Sequence, residues 1–271
     1  MNKKRIEFLK KKVKNHKIRV LDMCLENGGH ISSSFSTAEI LIYLYYQKII
    51  KKNGNRFVIS KGHGEVLYFS LLADLGYFPQ SWLKNSYRKN DCKLGGHVSS
   101  KVPGIEFSAG SLGHGLSYSA GVAFAMKKKK QNKKKIFCLL GDAELNEGSV
   151  WEAVIFASKN NLSNLVAMVD YNKIGSSDFT KNYISTKPLA FAWEKLGWKV
   201  NYVDGHNFLA IDKTVRQILR NKSSKPNVII LDTIKGKGLS FMENDPIWHV
   251  KGLDGNLYDL AMKELKGDNA S

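Results

Sequence analysis

The sequence predicts an α/β fold in which a parallel sheet is flanked by helices on both faces. Short apolar runs alternate along the chain with segments of helical spacing, which is the pattern of βαβ units. Polar residues directly follow several of these runs, and segments rich in glycine and histidine recur at the same places. Because the carboxyl ends of parallel strands meet at one edge of a sheet, we expect a ligand site there.

Five apolar runs have the length of strands and are separated by predicted helices. No internal repeat and no linker rich in proline or serine divides the chain. We therefore expect a single domain, residues 1–271, built on about five strands. The runs are Arg56–Ser60, Ile136–Gly141, Leu165–Tyr171, Trp198–Val203 and Val228–Asp232.

Helical spacing begins near Ile6 and continues to Glu26, where Gly28 and Gly29 suit a C-cap. Residues 36–39, Ser-Thr-Ala-Glu, have the Ser-x-x-Glu form of a capping box, and the apolar run after them predicts a buried helix. Further helices are predicted after Gly64, over Leu112–Met126, from Asn146, up to Gly197 and over Phe208–Arg220.

Composition limits the class of protein. With 271 residues the chain can bury a large core without disulfides, and its three cysteines form no CxxC pair. This cysteine usage is typical of a reducing compartment. The longest apolar stretch, Ile40–Tyr46, is too short to span a bilayer, and no signal peptide is recognisable. We expect a soluble, cytoplasmic protein that does not bind membranes.

The formal net charge of +18 does not predict nucleic-acid binding. Only six of the 42 basic residues are arginine, the residue that specific contacts with bases and phosphates favour. The densest lysine clusters, 127–130 and 133–135, precede the strand that ends at Gly141. They should therefore lie about 20 Å from the carboxyl end of that strand. We interpret them as a solvated turn and expect no nucleic-acid partner.

Asp142 and Asn172 predict a metal site. Asp142 follows one predicted strand, Asn172 follows the next, and a helix opens between them near Asn146. A carboxylate, an amide oxygen and the oxygens of a diphosphate suit Mg²⁺, which prefers octahedral oxygen ligands. The helix would direct backbone N–H groups and its positive dipole end at the same diphosphate. We interpret this unit as a diphosphate–metal clamp.

The loops at the predicted carboxyl edge contain an unusual share of glycine and histidine. Glycine lets the backbone approach a ligand closely, and histidine can bind a phosphate or hydroxyl or transfer a proton near neutral pH. A single Gly-His pair is commonly a turn, but several pairs at one sheet edge indicate a binding site. The loops contain Gly29-His30, Gly62-His63-Gly64, Gly95-Gly96-His97, Gly110 to Gly115 and Trp248-His249.

These segments together resemble the transketolase family. Gly141-Asp142, Glu147-Gly148 and Asn172 look like the family's signature for thiamine diphosphate, and the Gly-His loops occur in family order from about residue 15 to 250. The resemblance implies the thiamine-diphosphate-binding fold, thiamine diphosphate and Mg²⁺ as cofactors, and transfer of a two-carbon ketol unit from a ketose or its phosphate to an aldose.

The resemblance also assigns roles to residues of this chain. Asp142, Asn172 and the carbonyl of Ile174 are implied to hold Mg²⁺, and a substrate channel is implied for His30, His97 and His249, which would bind hydroxyls and assist proton transfer. The implied cofactor-binding residues are His63, Gly110, Ser111, Leu112, Gly141, Asp142, Ala143 and Asn172.

Two positions depart from the family pattern. Ala143 stands where the family commonly has the second glycine of Gly-Asp-Gly, and its methyl group should be tolerated if φ is negative. Lys61 stands where full-length members commonly have a smaller polar residue. The sequence does not predict what Lys61 does.

The resemblance also implies a part of the enzyme that we expect to lie outside this chain. The family's cofactor is activated by a glutamate of a second α/β domain, and we expect that pyrimidine-binding domain and the C-terminal domain to be absent from this chain. Glu147 is implied to face that glutamate, which makes it a candidate catalytic residue; alternatively, it is a first-turn acid that complements a helix dipole. We expect the N-terminal subunit of a split transketolase, completed by a separately encoded C-terminal subunit in an α₂β₂ hetero-oligomer.

Alternatives remain open on the sequence alone. A subunit similar to deoxyxylulose-phosphate synthase or to 2-oxo acid dehydrogenases would use the same clamp, although the histidine-rich loops favour sugar hydroxyls. A non-catalytic or regulatory protein that retains the fold would have no need of Asp142, Asn172 and Glu147. The donor and acceptor sugars are not predicted.

Overall fold

A parallel five-stranded sheet forms the centre of the molecule. The computed structural model describes residues 1–90, 92–131, 133–176, 178–182 and 186–267, with only the backbone for residues 186–190. The strands are β1 (Arg56–Ile59), β2 (Ile136–Gly141), β3 (Leu165–Tyr171), β4 (Lys199–Asp204) and β5 (Asn227–Asp232). They pair in the order β1-β2-β3-β5-β4, all parallel. The predicted fold class is confirmed.

Ten helices surround the sheet within the described ranges. None of them has the length and apolar character needed to cross a bilayer. The helices are α1 (Lys3–Asn27), α2 (Ile31–Ser36), α3 (Ala38–Tyr46), α4 (Glu65–Asp74), α5 (Ser81–Asn85), α6 (His114–Lys128), α7 (Gly148–Lys159), α8 (Thr186–Lys195), α9 (Phe208–Arg220) and α10 (Gly255–Lys266).

Alternate residues of each strand enter two separate cores, one on each face of the sheet. On one face Phe137 and Leu139 of β2 pack with residues of α1, α3, α4 and α9. On the other face Cys138 and Leu140 pack with residues of α6 and α7 and with Trp193 of α8. Because side chains alternate along a strand, a strand buried on both faces has a continuous apolar run. This is why the strands were recognisable in the sequence.

The order of the strands explains the arrangement of the helices. From β2 through β3 to β4 the chain proceeds across the sheet in one direction, and α7 and α8 lie on the same face. The chain then returns to insert β5 between β3 and β4, and α9 lies on the opposite face. Right-handed crossovers place a helix on the other face when the direction of winding reverses. All five strands end at the same edge.

Two predicted helix starts are wrong by two residues. Helix α6 begins at His114 instead of Leu112, because Gly113 adopts a left-handed conformation with φ of 82°. Helix α7 begins at Gly148 instead of Asn146, since residues 143–146 form a separate 3-10 turn. The C-cap at Gly28 is confirmed by its N–H, which donates to the carbonyl of Cys24.

The predicted capping box at residues 36–39 is also wrong. Helix α3 has Thr37 at its N-cap, without a side-chain hydrogen bond to the helix. The Ser36 hydroxyl donates instead to the Asp170 carboxylate at 2.7 Å, and Glu39 pairs with Nδ1 of His206 at 3.0 Å. Partners that are distant in sequence therefore replace the local capping interaction.

Candidate active site

The carboxyl edge of the sheet brings Asp142 and Asn172 together. Asp142 follows β2 and is only 2% exposed; its carboxylate accepts N–H bonds from Ala143 at 2.8 Å and from Lys173 at 2.6 Å. Asn172 follows β3 and is also buried. Lys173 directly follows Asn172 in the chain. The hydrogen bond from the Lys173 N–H to the Asp142 carboxylate therefore holds Asp142 close to Asn172.

The Asn172 amide is held at both ends. Its Oδ1 accepts from the N–H of Ile174 at 3.1 Å, and its Nδ2 donates to the Asp170 carboxylate at 2.7 Å. An amide nitrogen donates and an amide oxygen accepts, so the atom that contacts the Asp170 carboxylate must be Nδ2 and the other must be Oδ1. The oxygen of Asn172 therefore lies on the side of Ile174, the third predicted ligand.

The donor set at this edge fits a hard divalent cation. Burial, with the neighbouring Asp170 charge, raises the pKa of Asp142 to about 7. A cation beside the carboxylate would compensate this unfavourable burial. Asp142 has oxygen lone pairs beyond the two that accept N–H bonds, and Asn172 and Ile174 add neutral oxygens. This combination suits Mg²⁺ better than softer metals.

Asp170 lies at the centre of a buried polar network. Its carboxylate accepts from Ser36, Thr233 and Asn172, and forms an ion pair with Lys61. Although burial raises the pKa of Asp170, the Lys61 charge and these hydrogen bonds hold that pKa below its usual value. The network joins α2 to the ends of β1, β3 and β5.

Four of the predicted histidines form one cluster above this edge. The ring centres of His30 and His63 are 4.2 Å apart, those of His63 and His249 4.6 Å, and those of His63 and His97 5.6 Å. Burial, together with the neighbouring charges, lowers the pKa of His63 to about 2 and that of His249 to about 3. These two imidazoles are therefore neutral acceptors and donors at physiological pH.

Metal binding by the histidines themselves is not indicated. Among the residues that the structure describes, no group of three or more His, Cys, Asp or Glu side chains could hold a metal ion. The predicted metal ligands include a single side chain of these types, that of Asp142. His114, at the start of α6, is exposed, and His16 and His206 lie in other hydrogen-bond networks.

The loop that precedes α6 closes one side of the cluster. Gly110 lies against the ring of His97, since a Cβ placed on Gly110 would be 3.3 Å from Cδ2 of His97. Ser111 and Leu112 continue this loop. Its backbone is fixed by the Gly113 N–H, which donates to the Glu144 carboxylate at 2.9 Å. The same carboxylate accepts from Gly141 at 3.0 Å, so this loop and the end of β2 share an anchor.

Glu147 and Ala143 occupy the positions that the sequence predicts. Glu147 is the exposed N-cap residue of α7, and its side-chain methylenes lie beside Gly113. Ala143 is not among the residues with positive φ and begins the 3-10 turn 143–146, so its methyl group is accommodated without strain.

Several buried charged residues of the site were not predicted, among them Lys61, Asp170 and Lys235. Lys61 pairs with Asp170, as described above, and Lys235 places its Nζ 2.8 Å from Nδ1 of His249 and 3.0 Å from the carbonyl of Gly175. Burial lowers the pKa of Lys235 to about 7. Their positions in the sequence could have indicated that they belong to the site. Lys61 follows β1, Asp170 is the only acid within the apolar run of β3, and Lys235 follows β5.

The lysine clusters are remote from this site, as predicted. Lys135 directly precedes β2, whereas Asp142 directly follows it. Most of these lysines are exposed, but Lys135 is buried and its Nζ donates to the carbonyl of Ser163 at 2.7 Å.

Known proteins resemble the chain over almost its whole length. The sequence profile described as "Transketolase, thiamine diphosphate binding domain" matches residues 10–265. A relative named as one subunit of the apulose-4-phosphate transketolase of Actinobacillus succinogenes is 40% identical over 270 residues, which cover 96% of each chain. The 6-deoxy-6-sulfo-D-fructose transketolase subunit SqwG of a Clostridium species is 36% identical and is covered over 90% of its length.

Full-length transketolases match over part of their own length. Human transketolase is 35% identical over 245 residues, which are 38% of that protein. The crystal structure of transketolase from Campylobacter jejuni superposes with a TM-score of 0.89 at 29% identity. That match covers 98% of this chain and 43% of the other, so the chain spans about two fifths of these relatives.

Proposed function

The chain belongs to the transketolase family through its thiamine-diphosphate-binding domain, and from that membership we propose that it is the N-terminal subunit of a split transketolase. In that role it takes part in the transfer of a ketol unit from a ketose to an aldose. The observation that carries the proposal is the joint position of Asp142, Asn172 and the four-histidine cluster at one sheet edge.

In this proposal Mg²⁺ is held by the carboxylate of Asp142, the amide oxygen of Asn172 and the carbonyl of Ile174. When bound, thiamine diphosphate supplies the electron-sink chemistry that the transfer of a two-carbon unit requires. The diphosphate is bound by the metal, His63 and the buried ammonium group of Lys235. The loop residues Gly110, Ser111 and Leu112, with Gly141 and Ala143 at the end of β2, complete the cofactor contacts.

The cluster histidines contribute binding and proton transfer. His30, His97 and His249 are close enough to His63 to face the same ligand. Sugar hydroxyls both donate and accept hydrogen bonds, and neutral imidazoles can do the same. We assign to these three residues the binding of substrate hydroxyls, with proton exchange at their ring nitrogens.

A second, separately encoded subunit supplies the remaining catalytic groups. The support is that a relative named as one subunit of a transketolase aligns with this chain over 96% of both lengths. Glu147 is exposed at the amino end of α7, where it can meet a carboxylate of the second subunit. Ile155 and Phe156 of the same helix are 54% and 41% exposed. We propose that the exposed face of α7 is the docking surface for the second subunit in an α₂β₂ assembly.

We propose that the substrates are sugars or sugar phosphates. We also propose that the reaction takes place in the cytoplasm. The two split relatives carry names with a phosphorylated and a sulfonated sugar, and we extend to this chain only the shared chemistry of a sugar with an anionic end group. The relatives named above are transketolases or their subunits, so subunits of the deoxyxylulose-phosphate synthase or 2-oxo acid dehydrogenase type are not favoured. A purely regulatory role is not favoured either, since the clamp is intact.

The test is reconstitution. The chain is expressed alone and together with the protein encoded beside it, and binding of thiamine diphosphate with Mg²⁺ is measured by calorimetry, followed by ketol transfer from a ketose phosphate to an aldose phosphate. We expect ketol transfer only in the sample that contains both proteins. Full activity from the lone chain would contradict a split enzyme, and absence of cofactor binding in both samples would favour a non-catalytic role.

A further inference from the structure

Glu65 is a buried carboxylate in the site that cofactor binding does not explain. It is the first residue of α4, and its side chain is 0% exposed. Its Oε1 lies 2.9 Å from Nδ1 of His30, whereas Oε2 has no hydrogen-bond partner among the described residues. A buried carboxylate is costly unless a partner compensates it, so the contact with His30 is the interaction that makes its burial tolerable.

The backbone around His30 is built to bring the ring to Glu65. Gly29 has a φ of +150°, and a Cβ at this position would lie 2.5 Å from Oη of Tyr87 and 2.7 Å from Sγ of Cys24. Only glycine fits so close to these two side chains. The His30 carbonyl then accepts from the N–H of Ser34 at 3.0 Å, which fixes the next turn. The backbone of His30 is therefore fixed on both sides, and the contact with Glu65 positions its ring.

The contact also determines where the ring carries its proton. An ionised carboxylate can only accept a hydrogen bond, so Nδ1 of His30 must carry the hydrogen directed at Glu65. In the neutral ring Nε2 is then an unprotonated acceptor. The side chain of His30 is 19% exposed, and its ring centre lies 4.2 Å from that of His63 and 6.0 Å from that of His249.

His30 differs from the other cluster histidines in the charge beside it. His249 has the Lys235 ammonium group at 2.8 Å, which disfavours a second positive charge on the ring. His97 has only the carbonyl of Gly62, at 3.5 Å. Within the described contacts of the cluster, the carboxylate belongs to His30 alone, so His30 is the cluster histidine whose ring N–H is directed at an acceptor-only group.

We propose that Glu65 is a positioning residue that fixes the Nδ1–H tautomer of His30 and makes His30 the cluster histidine that accepts a proton from a substrate hydroxyl. In this step the proton leaves the hydroxyl oxygen and bonds to Nε2, while Nδ1–H remains directed at Glu65; the reverse transfer restores the neutral ring. The tautomer is a property of the chain itself, whereas the proton transfer rests on the proposed function.

The tautomer is tested on the lone chain, without cofactor or partner. Long-range ¹H–¹⁵N spectra are recorded for the wild type, Glu65→Gln and Glu65→Asp, with His30→Gln to assign the His30 signals. We expect the Nδ1–H form in the wild type and a mixture of the two tautomers in Glu65→Gln, because an amide can donate to Nδ1 as well as accept from it. Glu65→Asp keeps a carboxylate, which only accepts, and should retain mainly the Nδ1–H form.

The matched control is Glu39→Gln. Glu39 forms the same kind of pair, with Nδ1 of His206 at 3.0 Å, outside the cluster. It should change the tautomer populations of His206 and leave those of His30 unchanged. An Nε2–H tautomer of His30 in the wild type, or unchanged tautomer populations of His30 in Glu65→Gln, would overturn the proposal, whatever the activity of the assembly.

The catalytic consequence is tested in the two-subunit assembly. Glu65→Gln should lower kcat about tenfold or more and change the acidic limb of the kcat/KM pH profile, with little change in thiamine diphosphate affinity. His63, His97, His249, Lys61 and Lys235 also face this region, so Glu39→Gln again serves as the reference. An unchanged pH profile would overturn the proton-transfer part, whereas a wild-type assembly without activity would overturn the proposed function and leave the tautomer result standing.

Discussion

The side-chain amide of Asn172 donates to the carboxylate of Asp170 at 2.7 Å, so a residue two positions earlier in the chain orients a predicted metal ligand. Asp170 can do this only because Lys61 balances its buried charge. The proposed metal site therefore depends on an ion pair that contributes no metal ligand.

Removal of Lys61 should destabilise the chain strongly. Lys61→Met leaves the Asp170 carboxylate buried without its counterion, and we expect a loss of about 3–5 kcal/mol in the free energy of unfolding. Urea unfolding of the lone chain measures it. The control is Lys173→Met, which breaks the exposed ion pair with Asp232 and should cost less than about 1 kcal/mol. Equal losses in the two variants would show that the buried pair has no special role.

Loss of the Asp142 carboxylate should abolish cofactor binding. Asp142→Asn keeps the side-chain shape but removes the negative oxygen that the clamp offers to Mg²⁺. In the assembly with the second subunit we expect the Mg²⁺-dependent affinity for thiamine diphosphate to fall at least about 100-fold. Calorimetry measures it, and Asp212→Asn, a buried carboxylate of α9 bound to Tyr43, is the control. Unchanged affinity would remove Asp142 from the ligand set.

The sequence predicted the parallel sheet, because strands buried on both faces have a continuous apolar signature, and it predicted that Asp142, Asn172 and the Gly-His loops gather at the carboxyl edge of this sheet. It did not predict Lys61, Lys235 or Glu65 as site residues, since each is a charged residue whose usual place is the surface. Their burial depends on partners that are far away in sequence, such as Asp170 for Lys61 at a separation of 109 residues. Partners distant in sequence also explain why the capping box predicted at residues 36–39 does not form.

A methyl group at Gly113 should disturb the site although it contacts none of the proposed metal ligands. Gly113 has a φ of 82°, and a Cβ there would lie 2.5 Å from Oγ of Ser149 and 2.7 Å from Cβ of Glu147. Gly113→Ala should therefore cost about 1–3 kcal/mol of stability and displace Glu147. Chemical unfolding gives the stability, and assembly activity should fall more than the unfolded fraction explains. The control is Gly121→Ala in α6, where an added Cβ meets no atom within 4 Å.

An added charge on the exposed face of α7 should weaken assembly. Phe156→Glu places a carboxylate where we propose the second subunit docks, and desolvation of that charge should reduce the association constant at least about tenfold. Light scattering on the mixed subunits measures it. Leu209→Glu is the control, since Leu209 is 51% exposed on α9 at the opposite face of the sheet. Equal weakening by both variants, or none by Phe156→Glu, would place the interface elsewhere.

His16 should make the stability of the chain depend on pH between about 4 and 6.5. It is buried between α1, α3 and α4, with Nδ1 2.8 Å from Oγ of Ser70 and Nε2 3.1 Å from Oη of Tyr46. Burial is the main reason that its pKa falls from 6.5 to about 4; Asp74 opposes this change, and Arg19 and Lys12 add to it. In this window the unfolded chain takes up a proton on His16 that the folded chain does not.

The sign follows from that difference in proton uptake. The stabilising contribution is complete above about pH 6.5 and is lost as the pH falls towards 4, with a total on the order of 3 kcal/mol. Urea unfolding of the wild type and of His16→Gln at several pH values isolates it, because titration of the other groups cancels in the difference. His114→Gln, at an exposed histidine, should follow the wild type throughout. If the difference between the wild type and His16→Gln does not change with pH, His16 is not held neutral by its burial.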